Sequence, residues 1–341
     1  MDICPASCSF FFSPFLFHYH RQKLYEDFLG FYARMILKGI CERYKFSTLK
    51  KEFKMLKKIL ISTILCVGMP LIASIDANEK VYGVTIDSIH ELDKTIDALN
   101  YLDKDIVSRV VFDEVDPSYY TNALKRLDPY TEIMGELFDS EYISHYTRDE
   151  YLDRVNDYLD ELGDWVSLWE IGNEVNGEWS GDPDTVAQKT MDAYREVKSR
   201  GYSTALTLYY NDYTKNDGCW SNSDEKMRDW ARDRLDQDIK EGIDFIFISY
   251  YEEDCDYHRP SLQEWENVFS DLGKIFPNAK LGFGEVGTTT QNKEDYFNHY
   301  YGLDIQNPRY IGGHFWWYFR GDMVPRNKSM WHTFNTFLEE Q

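Results

Sequence analysis

Basic residues are scarce over most of this 341-residue chain. From residue 78 to the C terminus there are 26 Lys and Arg against 53 Asp and Glu, out of 37 and 59 in the whole sequence. A surface with this excess of acidic residues repels phosphate backbones and anionic lipid headgroups. Nucleic acid is therefore not an expected partner. Polyanionic substrates are disfavoured for the same reason, unless a local basic cluster offsets the field.

Cysteine is also scarce in this region, where Cys219 and Cys255 are the only two of the six in the chain. In an exported protein, such a lone pair more often forms a disulfide than two free thiols. Neither cysteine has the adjacent histidine or second cysteine that redox or metal chemistry would use. The six histidines after residue 77 show no HExxH spacing. The sequence therefore predicts a disulfide, but no metal site and no cofactor.

Residues 55–77 have the pattern of a secretory signal peptide. A basic start, Met55-Leu56-Lys57-Lys58, precedes an apolar run, Ile59–Ile75, and small residues follow near a possible cleavage point after Ala77. This predicts a secreted or periplasmic protein without stable membrane association after cleavage. A membrane anchor through Ile59–Ile75 is the alternative, because the run approaches the length of a spanning helix. Residues 1–54 fit neither interpretation, and we treat them as an uncertain leader or an incorrectly assigned start.

The remaining residues, 78–341, suffice for one domain, and a (β/α)₈ barrel needs about 250. Short β-rich apolar runs alternate with longer amphipathic runs, which is typical of βα units around a parallel sheet. A doubly wound open sheet would need a Gly-rich phosphate loop after its first strand, and Val84-Thr85-Ile86-Asp87 is not one. We therefore predict an α/β TIM barrel, expected to be a monomer. The predicted strands are Val81–Thr85, Arg109–Asp113, Glu132–Leu137, Val166–Asn173, Ser203–Tyr209, Phe245–Tyr251, Lys280–Glu285 and Ile311–Tyr318.

Several helices are predicted to begin with recognisable N-terminal signals. In a capping box, a hydroxyl at the cap and a carboxylate three residues later satisfy free backbone N–H groups. The pairs Ser88/Glu91, Thr147/Glu150 and Ser261/Glu264 have this spacing. Asp182-Pro183 places an acceptor at the cap and proline in the first turn.

Two glutamates follow predicted strand ends. Glu174 closes the segment Trp169-Glu170-Ile171-Gly172-Asn173-Glu174 after strand four, and Glu285 closes strand seven. The carboxyl ends of the strands form the catalytic face of such a barrel. Strands three steps apart in a ring of eight nearly face each other, so the two side chains are expected to converge. Two opposed carboxyl groups can cleave a glycosidic bond, one as acid and one as nucleophile.

The pair Asn173-Glu174 after strand four, with Glu285 after strand seven, resembles the clan A glycoside hydrolases. These are retaining (β/α)₈ enzymes that act mainly on β-linked sugars. The resemblance implies that Glu174 is the general acid/base and that Glu285 is the nucleophile. It also implies that Asn173 binds the 2-hydroxyl of the sugar being cleaved, and that the partner is a polysaccharide or oligosaccharide.

Strands six and eight extend the resemblance. The family's strand-six tyrosine, which bonds the nucleophile, matches Tyr251, because period-two alternation puts Ser249 and Tyr251 on one face. In the family, a tryptophan of strand eight forms the floor beneath the sugar; in His314-Phe315-Trp316-Trp317, Trp316 is the better match and Trp317 the alternative. Many members carry an Arg near the end of strand two, but here Arg109 begins the predicted strand. The subfamily is therefore left open.

Other acidic residues leave two interpretations open. Glu136 and Glu170 either line the mouth of the barrel or pair with a buried Arg or Lys, and we favour pairing. Asp113, Glu114 and Asp139 are candidate ligands for sugar hydroxyls or surface residues.

Two other functions are compatible with the same sequence. One is a secreted carbohydrate-binding barrel without turnover. The other is a transglycosidase, which would pass the same intermediate to a sugar acceptor. The opposed carboxyl groups favour an enzyme over a binding protein, since binding alone needs no acid and nucleophile in opposition.

Overall fold

The computed structural model describes residues 80–213, 215, 218, 219, 226–289 and 292–341. The predicted N-terminal segments, residues 1–54 and the signal peptide 55–77, lie outside these residues. The described part forms a closed barrel in which each parallel strand bonds to the next and the last bonds to the first. The predicted TIM barrel is confirmed.

Every predicted strand is present, and most boundaries agree within two residues. The largest difference is in strand four, which leaves the sheet after three residues. Strand two begins two residues earlier than predicted, and this shift changes the interpretation of Arg109 below. The strands are β1 Val81–Ile86, β2 Val107–Val111, β3 Glu132–Glu136, β4 Leu168–Glu170, β5 Ser203–Tyr209, β6 Phe245–Tyr250, β7 Lys280–Val286 and β8 Tyr310–Trp316.

Helices connect the strands and follow the last one. None of the helices within the described ranges has both the length and the apolar character that a membrane span requires. Short 3₁₀ helices at Ile143–His145, Glu178–Ser180 and Glu252–Cys255 lie in the loops after β3, β4 and β6. The α-helices are α1 Leu92–Asn100, α2 Ser118–Leu127, α3 Arg148–Leu162, α4 Pro183–Ser199, α5 Met227–Arg234, α6 Gln237–Gly242, α7 Leu262–Ile275, α8 Lys293–Tyr301, α9 Phe319–Met323 and α10 Ser329–Glu340.

Three of the four predicted helix starts are confirmed. Thr147 and Ser261 form complete capping boxes at α3 and α7, and Asp182 caps α4 with proline in its first turn. The Ser88/Glu91 prediction was wrong. Glu91 is itself the N-cap of α1 in a left-handed conformation, without a side-chain cap, and Ser88 accepts a bond from the backbone N–H of His90 instead.

The core has two layers separated by the strands. The outer layer packs the strands against the helices and contains Trp169, which is fully buried. Burying each large apolar side chain stabilises the folded state by roughly 1.5–3 kcal/mol. Packing on both sides of the strands therefore stabilises the barrel that carries the strand ends. The inner layer fills the barrel with Val81, Val107, Met134, Leu168, Ala205, Phe245, Phe247, Ile311 and Phe315.

The predicted disulfide between Cys219 and Cys255 is present. It joins the loop after β5 to the end of the 3₁₀ helix after β6, at a sequence separation of 36 residues. Because Glu253 and Asp254 precede Cys255 and line the cleft described below, the bond also ties this part of the cleft wall to the neighbouring loop.

Removing both cysteines (Cys219→Ser with Cys255→Ser) is expected to lower the free energy of unfolding by about 2–4 kcal/mol, because the bond restricts the unfolded chain. Urea unfolding followed by tryptophan fluorescence measures the change. Wild-type protein kept in reductant is the matched control and should show the same loss. An unchanged unfolding midpoint in the double variant would contradict the expectation.

Candidate active site

A cleft of about 500 Å³ opens at the carboxyl ends of the strands. This size lies in the usual range for small-molecule sites. Six of its lining residues are acidic, and none of the described lining residues is Lys, Arg or His. The lining consists of Asp139, Ser140, Glu141, Asn173, Glu174, Trp179, Tyr209, Tyr251, Glu253, Asp254, Glu285, Thr289, Trp317 and Tyr318.

Glu174 lies just beyond β4 with its side chain in the cleft. Its backbone adopts φ 46°, a left-handed conformation that is costly for a residue other than glycine and is often found at functional sites. One carboxyl oxygen accepts a hydrogen bond from Ser140 Oγ at 3.1 Å, and the other accepts one from Ser249 Oγ. Burial, followed by the charge of Glu285, raises the pKa of Glu174 to about 8. A pKa raised in this way favours the protonated form of Glu174 at neutral pH.

Glu285, on β7, is also a glutamate facing the cleft, but its carboxyl group has different hydrogen-bond partners from that of Glu174. Its Oε1 accepts a bond from the Tyr251 hydroxyl at 2.6 Å, and its Oε2 accepts one from Arg109 Nη1 at 2.7 Å. Burial raises the pKa of Glu285, whereas Arg109 and Tyr251 oppose this rise because they stabilise the carboxylate. No cation among the described residues contacts Glu174 in this way, so the carboxylate form of Glu285 is the better stabilised of the two.

Strand β6 brings the two carboxyl groups together. Ser249 bonds Glu174, and Tyr251, two residues later, bonds Glu285. A strand advances about 3.3 Å per residue, so the two hydroxyl-bearing residues lie about 7 Å apart on one face. The predicted convergence of Glu174 and Glu285 on one cleft is thus seen in the structure.

Arg109 was missed by the sequence analysis, which placed it at the start of strand two. The strand begins at Val107, so Arg109 lies in its middle and its side chain is fully buried inside the barrel. It pairs with Glu170 at 2.6 Å, Glu285 at 2.7 Å and Glu136 at 3.1 Å. The favoured pairing of Glu136 and Glu170 with a buried cation is confirmed. Alternation from Val107, which fills the barrel, would have indicated that Arg109 points inward.

The preference for Trp316 over Trp317 was wrong. Trp316 is fully buried on the helix side of β8, where its indole N–H donates to Asp322 at 3.0 Å. Trp317 lines the cleft, and its ring lies 5.7 Å from the guanidinium carbon of Arg109. Since Phe315 points into the barrel, alternation places Trp317 on that side too. The rule that selected Tyr251 would have selected Trp317.

Asn173 is buried and lines the cleft, and its side-chain oxygen has no hydrogen-bond partner among the described residues. Asp139 also lines the cleft. Asp113 and Glu114 are not among its lining residues; Asp113 accepts a bond from Tyr120 at 2.5 Å. Within the described ranges, no group of three or more His, Cys, Asp or Glu side chains is placed to hold a metal ion.

An aromatic pair beside Glu174 was not anticipated. The Trp179 indole N–H donates to Ser140 Oγ at 2.9 Å, and Ser140 in turn donates to Glu174. Trp179 and Tyr209 meet edge to face with ring centroids 5.1 Å apart. Trp179 and Ser140 come from loops, where no periodic sequence pattern shows which side chains will meet.

No protein-family model matches this sequence, and no curated protein sequence matches it. Solved structures of Saccharomyces cerevisiae Gas2p are similar to it. The apostructure of a Gas2p mutant has a TM-score of 0.51 and 14% identity, covering 77% of this chain and 61% of that one. The complex with compound 8 gives 0.50 and 14%, covering 77% and 65%. The complex with laminaripentaose gives 0.47 and 15%, covering 71% and 58%.

The chain thus spans less than two thirds of the length of these Gas2p chains. At this level of identity, the similarity establishes the barrel fold alone.

Proposed function

We propose that this chain is a retaining glycoside hydrolase that cleaves a β-linked polysaccharide or oligosaccharide through a glycosyl-enzyme intermediate. The observation that carries the proposal is the pair of carboxyl groups facing one cleft in unlike environments. Glu174 is held by two hydroxyls and is protonated at neutral pH, whereas Glu285 is held by a cation and a phenol. Environments that push two carboxyl pKa values apart assign the acid and the nucleophile.

In the first step, Glu285 attacks the anomeric carbon while Glu174 gives its proton to the departing glycosidic oxygen. The bond between the anomeric carbon and that oxygen breaks as the ester bond to Glu285 forms. In the second step, Glu174 accepts a proton from water, the water oxygen bonds the anomeric carbon, and Glu285 leaves as a carboxylate. The free side-chain oxygen of Asn173 is available to accept the sugar 2-hydroxyl, and Trp317 offers a flat apolar face to the ring.

Glu174 can change from acid in the first step to base in the second because the charge on Glu285 changes between the two steps. In the free protein, the negative charge of Glu285 contributes to the raised pKa of Glu174. Once Glu285 is esterified, that charge is gone, so the pKa of Glu174 falls and its carboxylate becomes available as a base. One residue can therefore act as acid and then as base within a single turnover.

The sugar is proposed to be uncharged. Six carboxyl groups line the cleft, and its described lining contains no basic side chain to bind a uronic acid or a phosphate.

β-Glucan, mannan, galactan and xylan oligosaccharides are suitable first substrates for testing hydrolysis, with laminaripentaose among the glucans. Release of reducing ends supports hydrolysis. Sugar binding without release supports the non-catalytic barrel instead. The first product must keep the anomeric configuration of the substrate, read by proton NMR, and an inverted product would overturn the retaining mechanism.

The aromatic pair Trp179 and Tyr209 favours a second candidate, transglycosylation. It lies beside Glu174, on the side from which water or an acceptor sugar must approach. Tyr209 is buried and supports the partly exposed Trp179, whose aromatic face could bind a pyranose ring and help an acceptor compete with water. Chromatography at high oligosaccharide concentration distinguishes the two: products longer than the substrate indicate transfer, and shorter products alone indicate hydrolysis.

The value of kcat/KM is expected to fall about tenfold per pH unit above about pH 8, because Glu174 must be protonated and its pKa is raised to about 8. The acid limb should reflect protonation of Glu285. An unactivated glycan is the substrate of choice, since its leaving group needs the proton. An aryl glycoside with a good leaving group serves as the control and should show a weaker alkaline limb. A flat profile to pH 10 with the unactivated glycan would contradict the role of Glu174.

We also propose export from the cytoplasm. The disulfide between Cys219 and Cys255 supports it, because such bonds persist in oxidising compartments. Expression of the full sequence followed by N-terminal sequencing of the exported product tests it. A mature N terminus near Asn78 is expected, and retention of residues 55–77 would favour the membrane anchor.

A further inference from the structure

Glu136 is a buried carboxyl group that the proposed mechanism does not use. It is the last residue of β3, is fully buried, and is not among the residues that line the cleft. Its neighbour in register on β4 is Glu170. Both side chains meet Arg109, which also holds Glu285.

The three carboxyl groups around Arg109 are held unequally. Glu170 accepts hydrogen bonds from Arg109 Nε at 2.6 Å and Nη2 at 3.2 Å, and a third from the Thr207 hydroxyl. Glu285 accepts one from Arg109 and one from Tyr251. Glu136 Oε2 lies 3.1 Å from Arg109 Nη2, but neither oxygen of Glu136 accepts a hydrogen bond from any described residue.

This arrangement decides which carboxyl group stays neutral. One guanidinium cannot neutralise three carboxylates when all four side chains are buried. An ionised carboxylate that accepts no hydrogen bond is far costlier to bury than a protonated one. Glu170 and Glu285 have the bonds that stabilise negative charge, and Glu136 does not. The proton therefore belongs on Glu136.

The surrounding charges act in the same direction. Burial raises the pKa of Glu136 well above its usual value, and the charges of Glu170, Asp139 and Glu285 raise it further, against the opposing effect of Arg109. The neutral phenol of Tyr151, from α3, lies nearby and donates its hydrogen bond to the Ile171 carbonyl at 2.9 Å.

We propose that Glu136 is a positioning residue that remains protonated throughout the reaction, so that Arg109 serves as counter-ion to Glu170 and Glu285 alone. The catalytic consequence rests on the proposed function. With Glu136 neutral, the Arg109 bond to Glu285 is not weakened by a third anion. Glu285 therefore stays ionised and keeps the orientation needed for attack.

The first test does not depend on activity. If folded Glu136 keeps its proton well above the usual glutamate pKa of about 4.3, the folded wild type binds one proton more than the unfolded chain, and its stability falls as pH rises through that window. Glu136→Gln has the same shape and no proton to lose. Relative to wild type, its folding equilibrium constant should therefore gain up to about tenfold per pH unit as the pH rises above the usual glutamate pKa of about 4.3. Other titrating groups are common to both proteins and cancel.

Urea unfolding of both proteins at several pH values gives this difference. A difference that does not change with pH would overturn the proposal, because Glu136 would then titrate alike in the folded and unfolded chains. Infrared spectroscopy at pH 7 supplies a direct readout: the variant should lose one protonated-carboxyl C=O band and retain that of Glu174. No lost band would also overturn it. Glu136→Met repeats the stability test if the glutamine variant does not fold, and failure of both neutral variants to fold would show that the charge is required.

The second test concerns the acid limb of kcat/KM. In Glu136→Gln the limb should stay within about 0.3 pH units of wild type, whatever happens to kcat, because no charge near Glu285 has changed. Glu170→Gln is the matched control on the same cation. It removes an anion close to Glu285, so its acid limb should move to lower pH. A shift of one unit or more in Glu136→Gln would overturn the proposal. Absence of activity in wild type would refute the hydrolase function and leave the stability test decisive.

Discussion

Replacing Glu285 with glycine is expected to reduce hydrolysis by about 10⁴-fold or more while leaving the barrel folded, since removing a nucleophile eliminates the covalent pathway. The change also opens space beside Arg109 and Tyr251, into which a small anion fits. Azide should restore turnover by attacking from that side, giving a glycosyl azide of inverted configuration. Product analysis by mass spectrometry and NMR measures this outcome.

The control for the Glu285→Gly experiment is wild-type protein in azide, which should give no azide adduct of inverted configuration. Far-ultraviolet circular dichroism of the variant establishes that the fold is retained. Full activity of Glu285→Gly, or rescue with retained configuration, would remove Glu285 from the role of nucleophile.

Glu174→Ala should have an effect that depends on the leaving group. With a natural glycan, loss of the proton donor is expected to lower kcat/KM by about 10²–10⁴-fold, the usual contribution of general acid catalysis. With a dinitrophenyl glycoside, whose leaving group needs no proton, the first step should be nearly unaffected and the intermediate should accumulate. Azide should then speed its breakdown and give a glycosyl azide of retained configuration. The two azide products, inverted for Glu285→Gly and retained for Glu174→Ala, distinguish the roles.

Stopped-flow detection of a burst of dinitrophenolate measures accumulation of the intermediate in Glu174→Ala. Ser140→Ala is the matched comparison, because it removes one bond to Glu174 and keeps the carboxyl group. Its loss of activity should be smaller and its alkaline limb should move upward, since that bond favours the ionised form. Equal losses of Glu174→Ala on good and poor leaving groups would contradict its assignment as the acid.

The barrel could be predicted because the sequence patterns that indicate strands and helices each lie within a few neighbouring residues. Strands alternate with a period of two, helices begin with caps, and eight such units close in only a few ways. The same local rule selected Tyr251 as the tyrosine that the family resemblance places beside the nucleophile, and Tyr251 does bond Glu285. On strand eight the rule gives Trp317, and on strand two the start at Val107 puts Arg109 inside the barrel.

Other parts of the site were beyond local reasoning. Ser140 meets Glu174 because the loop after β3 folds towards β4, and Trp179 reaches Ser140 from the loop after β4. Loop residues follow no period, so their contacts depend on packing across the whole barrel end. The unequal sharing of Arg109 by three glutamates likewise arises from three different strands. The sequence indicated that Glu136 and Glu170 pair with a cation, but not that Glu136 accepts no hydrogen bond from the residues that the structure describes.

The contacts of Ser249, on β6, and Tyr251, just after it, bear on how such a protein can evolve. These two hydroxyls, two residues apart, each bond one of the two carboxyl groups that we propose as proton donor and nucleophile. Loops that carry neither Glu174 nor Ser140 can change in length to admit new sugars without altering these two bonds. Inserting one residue between these two positions would turn one hydroxyl to the opposite face and break the alignment. Recognition is thus free to diversify, while the reaction geometry is inherited unchanged.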